Sequence, residues 1–365
     1  MNNPSKIIIF TGGGTTGHVT KNLIVMSELK KKLSPIELHY LGSNNGKEKE
    51  LVNRNLCRFH AISTGKFRRY FALESIPDFF RFLRGVWQSF WLLKKIRPNL
   101  VFSSGGYVAL PVAIGAWMNR IPMITHETDS TPGLANRWIA RLAEQVLLGF
   151  ESARPYFKNN TIFVGNPISP GLFKGSKEKA LHELGFSRQR KTLLVMGGSQ
   201  GAKQINELVW ELLPKLLEHW QVIHLTGKGK MNTSRNDSFY QAFEYITDDY
   251  TDFLTAADLV ISRAGGNSLA ELEALNKLAI IIPLRSAAGD HQMKNALEMK
   301  KKHPDWVVLK GPEVSSGEVW NAVNETAKQT RRMAVERPNH SSAEQIVHVL
   351  LQRLSEVVKH DDEVL

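Results

Sequence analysis

The sequence has few of the features that hold secreted or membrane-spanning proteins together. It contains a single cysteine, Cys57, so no disulfide can form within the chain. No apolar run reaches the roughly 20 residues that a membrane-spanning helix needs. The first residues, MNNPSK, lack the basic and apolar regions of a signal peptide. We therefore expect a folded protein of a reducing compartment.

Acidic residues are fewer than basic ones. The chain has 35 Asp and Glu against 47 Lys and Arg, which gives a formal net charge of +12. This excess indicates an anionic partner, which is a nucleic acid, a membrane surface or a phosphorylated substrate. We expect no nucleic acid, because no RNA- or DNA-binding module is recognisable. With 365 residues, 42% of them hydrophobic, the chain is long enough for two domains.

Short apolar runs alternate with helical patterns along most of the chain, which is typical of parallel sheets with crossover helices. Strands are predicted at 7–10, 36–41, 100–103, 123–126, 145–148 and 161–164, and again at 192–196, 222–225, 243–246, 259–262, 279–283 and 306–309. The segment 164–171 has two glycines and two prolines and is a candidate hinge. We predict an N-terminal domain at 1–165 and a C-terminal domain at 166–340. A C-terminal helix at about 341–358, opened by the capping box Ser341–Glu344, would pack back towards the first domain.

Each half opens on a strand, a glycine-rich loop and a helix. The first loop, GGGTTGH at 12–18, matches the dinucleotide-binding fingerprint, and its amides and the following helix N-terminus suit a phosphate. The fingerprint also requires an acidic residue at the tip of the second strand, where this chain has Tyr40-Leu41-Gly42. Hydride transfer therefore rests on fold analogy alone.

Polar side chains follow several of the predicted strands. His18 would lie in the first turn of a helix, where the positive helix end favours the neutral imidazole of a general base; a capping or packing role is the alternative. A second glycine loop at 104–111 and the sequence HETD at 126–129 end at the same sheet edge. Because these residues come from different loops without metal-ligand spacing, an acid–base pocket is favoured over a metal site.

The richest stretch of the second half is 258–295. Asn267 and Ser268 open a helix after a glycine loop, which suits a diphosphate. Glu271, one turn further, is placed for a ribose diol, and compensation of the helix dipole is the alternative. Gln292 lies in a polar loop that suits sugar hydroxyls.

Aromatic and basic residues are concentrated at 66–97. Helical spacing predicts a buried stripe of Phe79, Leu83, Val86, Trp87, Phe90 and Leu93. More aromatic surface remains than one face can bury, so we expect a patch that contacts an anionic membrane surface. Its predicted members are Phe71, Phe80, Phe82, Trp87 and Trp91.

Six motifs occur in an order that resembles the MurG family of bacterial glycosyltransferases. They are GGGTTGH, GGYVALP, HETDSTPGLAN, GNP, GGSQGA and SRAGGNSLAE with GDHQMKNA, over about 6–296. The resemblance implies an α/β fold of GT-B architecture, with two Rossmann-like domains and a cleft between them. It implies inverting, metal-independent transfer of N-acetylglucosamine (GlcNAc) from UDP-GlcNAc, which is a substrate and not a cofactor. The acceptor would be the MurNAc C4 hydroxyl of undecaprenyl-pyrophosphoryl-MurNAc-pentapeptide (lipid I), giving lipid II.

The resemblance further implies a peripheral enzyme on the cytoplasmic face of the bacterial cytoplasmic membrane, with a cell-wall synthesis complex as a possible partner. It assigns His18 as base and Glu127 as its acceptor-side partner. Contacts to UDP-GlcNAc would come from Thr15, Thr16, Gly17, Asp129, Ser199, Ile246 (uracil), Asn267, Ser268, Glu271 (ribose) and Gln292 (sugar). The amides of Gly13, Gly14, Gly105 and Gly106 would face the acceptor diphosphate.

This chain departs from the family's pattern at three places. Asp129 stands where the family commonly has Asn, Ser169 where it commonly has Arg, and Thr16 where Gly is frequent. The change at Asp129 replaces an amide that donates and accepts by an acceptor-only carboxylate. Two other hypotheses therefore stay open. One is a related glycolipid synthase or nucleotide-sugar epimerase, and the other is a non-enzymatic membrane-surface protein that binds a nucleotide sugar.

Overall fold

A computed structural model describes residues 6–46, 48–52, 56–65, 75–158, 160–198, 201–232, 237–246, 249–285, 290–311, 313–329 and 341–364. The chain divides into two compact units. One comprises Met1–Ile168 with Asn339–Leu365, and the other Ser169–Pro338.

Over its described residues, the first unit forms a seven-stranded parallel sheet. Its strands are β1 (Lys6–Thr11), β2 (Ile36–Ser43), β3 (Arg58–Ile62), β4 (Leu100–Ser103), β5 (Met123–Glu127), β6 (Gln145–Leu148) and β7 (Asn160–Phe163), in the order β3-β2-β1-β4-β5-β6-β7. The helices between them are α1 (Thr16–Lys32), α2 (Glu48–Leu51), α3 (Ser75–Ile96), α4 (Ala109–Met118) and α5 (Leu134–Leu142), with a 3-10 helix at Glu151–Tyr156.

The described part of the second unit forms a six-stranded parallel sheet. Its strands are β8 (Lys191–Met196), β9 (Trp220–Leu225), β10 (Tyr240–Phe243), β11 (Leu259–Ser262), β12 (Leu278–Ile281) and β13 (Val307–Val308), in the order β10-β9-β8-β11-β12-β13. Its helices are α6 (Lys177–Leu184), α7 (Lys203–His219), α8 (Tyr250–Ala256), α9 (Gly266–Ala274), α10 (His291–Lys302) and α11 (Ser316–Ala327), after a 3-10 helix at Pro170–Lys174.

In each sheet the order in which strands are added reverses beside the first strand. The reversal lies between β1 and β4 in the first sheet and between β8 and β11 in the second. Open parallel sheets bind ligands at such switch points, outside the carboxyl ends of the strands. The glycine loops that follow β1, β4, β8 and β11 all lie at these positions. The predicted α/β class with two Rossmann-like domains is confirmed.

The C-terminal helix α12 (Ser342–Val364) belongs to the first unit and packs on α1. Its capping box is formed, because Ser341 N donates to Glu344 Oε2 (3.0 Å) and Glu344 N donates to Ser341 Oγ (3.2 Å). Its apolar face joins the core around β1 through Ile346, Val347, Leu350 and Leu354. The first unit therefore needs the end of the chain to complete its core.

Helix α1 begins at Thr16, which places His18 in its first turn as predicted. Two strands differ most from the sequence expectations. Strand β3 was not predicted, because its sequence RFHAI carries too few apolar residues to stand out as a strand. Strand β10 occupies Tyr240–Phe243 rather than 243–246.

Helix α3 buries only part of the predicted stripe. Leu93 is buried as predicted, but Phe79, Leu83 and Trp87 are 50%, 46% and 64% exposed. The exposure of Trp87 agrees with its other predicted place, in the exposed patch. Phe82, predicted to be exposed, is half-buried and packs against the core cluster that contains Ile9. The predicted stripe was therefore wrong at these positions, and Phe82 does not belong to the exposed patch.

Small residues explain this difference. Gly85 and Ser89 are buried on the inner face of α3. A Cβ at Gly85 would lie 2.0 Å from Ser63 O, and one at Gly115 of α4 would lie 3.0 Å from Phe90 N. The backbone of α3 thus approaches its neighbours too closely for large side chains, which point outwards instead.

Candidate active site

The first glycine loop connects β1 to α1 with left-handed backbone at Gly12 (φ 153°) and Gly14 (φ 88°). Its amides have acceptors within the protein: Gly13 N donates to Gly105 O (3.3 Å) and Gly14 N donates to Glu48 Oε1 (2.8 Å). A Cβ at Gly13 would lie 1.9 Å from Glu48 Oε1. The carboxylate of Glu48 therefore occupies the place where the sequence predicted a ligand anion.

The second glycine loop is satisfied in the same way. Gly105 N donates to Ser103 Oγ (3.0 Å), and Gly106 N donates to Asn136 Oδ1 (2.9 Å). All four amides expected to face the acceptor diphosphate therefore donate hydrogen bonds within the protein. A diphosphate would have to displace these partners or bind elsewhere at this edge.

His18 is the third residue of α1 and is half-buried. Its Nδ1 lies 2.7 Å from Ser104 O, and because a carbonyl oxygen only accepts, Nδ1 carries the proton. Burial and the nearby Lys21 charge lower the pKa of His18 to about 3. The imidazole is therefore neutral, and Nε2 keeps the lone pair that a general base needs.

Glu127 ends β5 and is 2% exposed. Its Oε1 accepts from Asp129 N (3.0 Å) and its Oε2 accepts from Asn136 Nδ2 (2.7 Å). Burial and the Asp129 charge raise the pKa of Glu127 to about 7. Because Asn136 also accepts from Gly106 N, Glu127 and Asn136 connect the loop after β5 to the second glycine loop.

His126, which precedes Glu127 in β5, lies at the same edge of the sheet. His126 Nε2 donates to Gly165 O (2.9 Å), and burial lowers the pKa of His126 to about 3. Within the described ranges, no group of three or more His, Cys, Asp or Glu side chains is placed to hold a metal ion.

In the second unit, α9 starts directly after β11 and the loop 263–265. Its N-cap, Gly265, makes no side-chain cap, and a Cβ there would meet nothing within 4 Å. Asn267 and Ser268 lie half-buried in the first turn. This helix N-terminus combines positive potential with open space, as a diphosphate requires.

Arg263 fixes the strand ends beneath that loop. Its guanidinium is 7% exposed and donates to Ile282 O (3.0 Å) and Gln204 Oε1 (3.1 Å). It thereby connects β11 with the segment after β12 and with the first turn of α7.

Glu271 lies in the second turn of α9, where helix-dipole compensation has faded. The phenol of Tyr250, at the start of α8, donates to Glu271 Oε2 (2.6 Å), and burial raises the pKa of Glu271. The bond fixes one carboxylate oxygen and leaves Oε1 to accept from a diol.

The remaining residues predicted to contact UDP-GlcNAc are divided between the two units. Gln292, in the first turn of α10, accepts from Leu284 N (2.9 Å) through Oε1. Ile246 is half-buried beyond the end of β10. Thr15, the N-cap of α1, is exposed in the first unit, followed by half-buried Thr16 and Gly17. Ser199 and Phe71 lie outside the described residues.

Sequence reasoning missed three residues that shape these sites, namely Glu48, Asn136 and Tyr250. Asn136 closes the motif HETDSTPGLAN, so the motif itself pointed to it. Glu48 and Tyr250 stand on helices far along the chain from the groups they hold, at separations of 34 and 21 residues. No local pattern marks such contacts.

An exposed apolar surface covers the outer side of α3. We call it the α3 aromatic face; it comprises Phe79, Phe80, Leu83, Trp87 and Trp91, which are 46–64% exposed. Lys94 Nζ lies 5.2 Å from the centre of the Trp91 ring. Among the helices described, none is both long and apolar enough to span a bilayer.

Comparisons with protein families and with curated relatives agree on one family. The glycosyltransferase family 28 N-terminal domain matches residues 8–148, and the family 28 C-terminal domain matches residues 192–353. A UDP-N-acetylglucosamine–N-acetylmuramyl-(pentapeptide) pyrophosphoryl-undecaprenol N-acetylglucosamine transferase 3 from Bacillus thuringiensis (strain Al Hakam) is 42% identical over 300 residues, or 81% of this chain and 85% of the relative. The transferase of that name from Clostridium botulinum (strain Alaska E43 / Type E3) is 38% identical over 96% of this chain and 98% of its own. Among solved structures, MurG from Acinetobacter baumannii superposes with a TM-score of 0.72 at 22% identity, covering 95% of this chain and 99% of that one.

Proposed function

The chain belongs to the MurG family of glycosyltransferases, within glycosyltransferase family 28, and we propose that it transfers GlcNAc from UDP-GlcNAc to lipid I, forming lipid II for peptidoglycan synthesis. The observation that carries this proposal is the relatives' shared transferase name, at 38–42% identity over most of the chain. Relatives of this kind disfavour an epimerase or a non-enzymatic protein.

The second unit would bind the donor. The N-terminus of α9 faces the diphosphate, Glu271 accepts from the ribose hydroxyls, and Gln292 contacts the sugar. As the bond between the anomeric carbon and the UDP oxygen breaks, negative charge grows on the diphosphate. Helix-terminal amides preorganised around Gly266–Ser268 stabilise that charge without rearranging.

The first unit would bind the acceptor. His18 Nε2 takes the proton of the MurNAc C4 hydroxyl while its oxygen attacks the anomeric carbon from the face opposite UDP, so the configuration inverts. The pKa of about 3 applies without substrate. A lipid-linked diphosphate beside His18 adds negative charge, which raises that pKa towards the working pH and makes the imidazole a stronger base.

Removing the Tyr250 hydroxyl is expected to weaken donor binding. Tyr250→Phe deletes the 2.6 Å bond to Glu271, so the Kd for UDP-GlcNAc should rise about 3- to 10-fold, as for one lost hydrogen bond. Isothermal titration calorimetry measures this change. Tyr240→Phe is the matched control, because its hydroxyl accepts from Trp210 and contacts His224 within the core. An unchanged Kd in Tyr250→Phe would remove Tyr250 from the donor site.

We further propose that the α3 aromatic face attaches the first unit to the cytoplasmic face of the cytoplasmic membrane, where lipid I is found. Exposed aromatic surface beside basic residues suits an anionic bilayer surface, and the net charge of +12 has the matching sign. A complex with other cell-wall enzymes is compatible with this attachment.

Replacing Phe80, Trp87 and Trp91 together with serine should lower binding to phosphatidylcholine–phosphatidylglycerol vesicles by at least about 10-fold, because apolar burial supplies most of the attachment. Co-sedimentation measures binding, and the melting temperature should stay within about 2 °C. Tyr245→Ser, at an exposed aromatic of the second unit, is the control. Unfolding of the triple variant would show instead that α3 buries these residues.

A transfer assay tests the proposed function. Labelled UDP-GlcNAc is supplied with a short-chain lipid I analogue, with diacylglycerol, or with no acceptor. We expect labelled disaccharide lipid only with the lipid I analogue. Product on diacylglycerol would identify another glycolipid synthase, and isomerised UDP-sugar without acceptor would identify an epimerase; either result would overturn the proposal.

A further inference from the structure

A buried lysine beside His18 has no part in the chemistry described so far. Lys21 stands one turn after His18 on α1 and is 2% exposed. Its Nζ donates to Thr128 Oγ1, in the loop that follows β5. A buried ammonium group is unfavourable unless neighbouring groups compensate its charge, so its surroundings determine what it does.

Two acidic residues supply that compensation. Thr128 stands between Glu127 and Asp129, and the charges of both acidic residues raise the pKa of Lys21 against the larger effect of burial, leaving it at about 8. Lys21 in turn lowers the pKa of Glu127, which burial and Asp129 hold at about 7. Near neutral pH the Lys21 ammonium and the Glu127 carboxylate therefore stabilise each other's charged form.

The two histidines facing Lys21 do not share this compensation. The positive charge of Lys21 lowers the pKa of both His18 and His126, which stay neutral. The groups that face Lys21 are thus two neutral imidazoles, from α1 and β5, and two carboxylates, from the end of β5 and the loop after it. Lys21 is the cation of this cluster.

A second buried lysine shows what a purely structural role looks like. Lys277, in the second unit, is 5% exposed and donates to Thr255 O (2.7 Å) and Ala257 O (2.8 Å). Its described partners are backbone carbonyls that end α8. Lys21 instead bonds a side chain of the loop that orients Glu127, and it lies beside the proposed base.

We propose that Lys21 is a positioning residue that holds the 127–129 loop against α1 and keeps the Glu127 carboxylate ionised beside His18. The inference rests on the proposed acceptor site of the first unit. The Lys21 charge sets the pH range in which the site works, because an ionised Glu127 orders the hydrogen bonds from Glu127 through Asn136 to Gly106. Losing the ammonium charge would make Glu127 bind a proton at higher pH.

The first test is the pH profile of kcat/KM for transfer to the lipid I analogue. Lys21→Gln keeps a donor for Thr128 but removes the charge, so the acid limb should move about one pH unit upwards. The KM for the lipid acceptor should rise more than the KM for UDP-GlcNAc. Lys277→Gln should lower the melting temperature and leave the acid limb in place. An unmoved acid limb in folded Lys21→Gln would overturn the proposal.

A second test does not need activity. The pKa of Lys21, about 8, lies below the 10.5 of an ordinary lysine, so the unfolded chain binds more protons between these values. The contribution of Lys21 to the free energy of unfolding should therefore increase as the pH rises from about 8 to 10.5. The melting temperature of the wild type, relative to that of Lys21→Gln, should therefore rise as the pH increases across this range. Lys21→Met replaces Lys21→Gln if the latter does not fold.

A constant difference in melting temperature across that range would show that Lys21 is not a perturbed cation of this cluster and would overturn the proposal. The two failures are distinguishable. A wild type that transfers no GlcNAc would overturn the proposed function, whereas the melting curves would still decide the charge state of Lys21.

Discussion

Replacing His18 with alanine should lower kcat for GlcNAc transfer by about 100- to 10,000-fold, the usual contribution of a general base. The Kd for UDP-GlcNAc should change by less than about 3-fold, because His18 takes the proton only during transfer. The neutral ring, with Nδ1–H donated to Ser104 O at 2.7 Å, presents Nε2 as the base. Steady-state kinetics together with calorimetry separate the two effects.

His18→Gln sharpens the test. The glutamine amide can donate to Ser104 O but cannot take a proton, so it keeps the loop contact and loses only the base. We expect its kcat to be as low as that of His18→Ala. A kcat within about 3-fold of the wild type would show that His18 orders the second glycine loop and that another group accepts the proton.

Replacing Glu271 with alanine should raise the Kd for UDP-GlcNAc by about 10- to 100-fold, because hydrogen bonds to a charged group contribute about 1.5–3 kcal/mol. The variant removes the carboxylate that Tyr250 orients in the second turn of α9. Calorimetry with UDP-GlcNAc measures the loss. With the 2′-deoxyribose analogue of the donor, the wild type should lose affinity and Glu271→Ala should not.

Glu273→Ala is the matched control on the same helix. Glu273 lies 3.3 Å from His303 Nε2 and pairs with Lys302; burial raises the pKa of Glu273, but these contacts outweigh it and lower the pKa. Its loss should cost some stability and leave the Kd for UDP-GlcNAc unchanged. Equal losses of affinity in both variants would mean that α9 is disturbed as a whole and that Glu271 has no specific contact with the ribose.

Much of the fold could be predicted because parallel strands are buried on both faces and appear as continuous apolar runs. Strands β4, β6 and β11 occupy the predicted residues. Strand β3 at the sheet edge carries arginine and histidine and gives no such signal. For α3, aromatic spacing revealed an apolar face but not its direction, since the tight packing at Gly85 and Ser89 depends on neighbours distant in sequence.

The parts of the candidate site that come directly after strands could be predicted from the sequence. His18, Glu127 and Glu271 follow strands of one sheet edge in each unit, and the sequence alone places them there. What could not be predicted is the set of contacts between elements. Three hydrogen bonds join separate helices and loops: Gly14 N donates to Glu48, the Tyr250 phenol donates to Glu271, and the Lys21 ammonium donates to Thr128.

The stereochemistry of the transfer product tests the proposed reaction most directly. The wild-type protein is incubated with UDP-GlcNAc and the short-chain lipid I analogue, and the purified product is analysed by NMR. We expect GlcNAc in β linkage to O4 of MurNAc, with one UDP released for each disaccharide. An α linkage, attachment at another hydroxyl, or no disaccharide while calorimetry shows bound UDP-GlcNAc would contradict the proposed transfer.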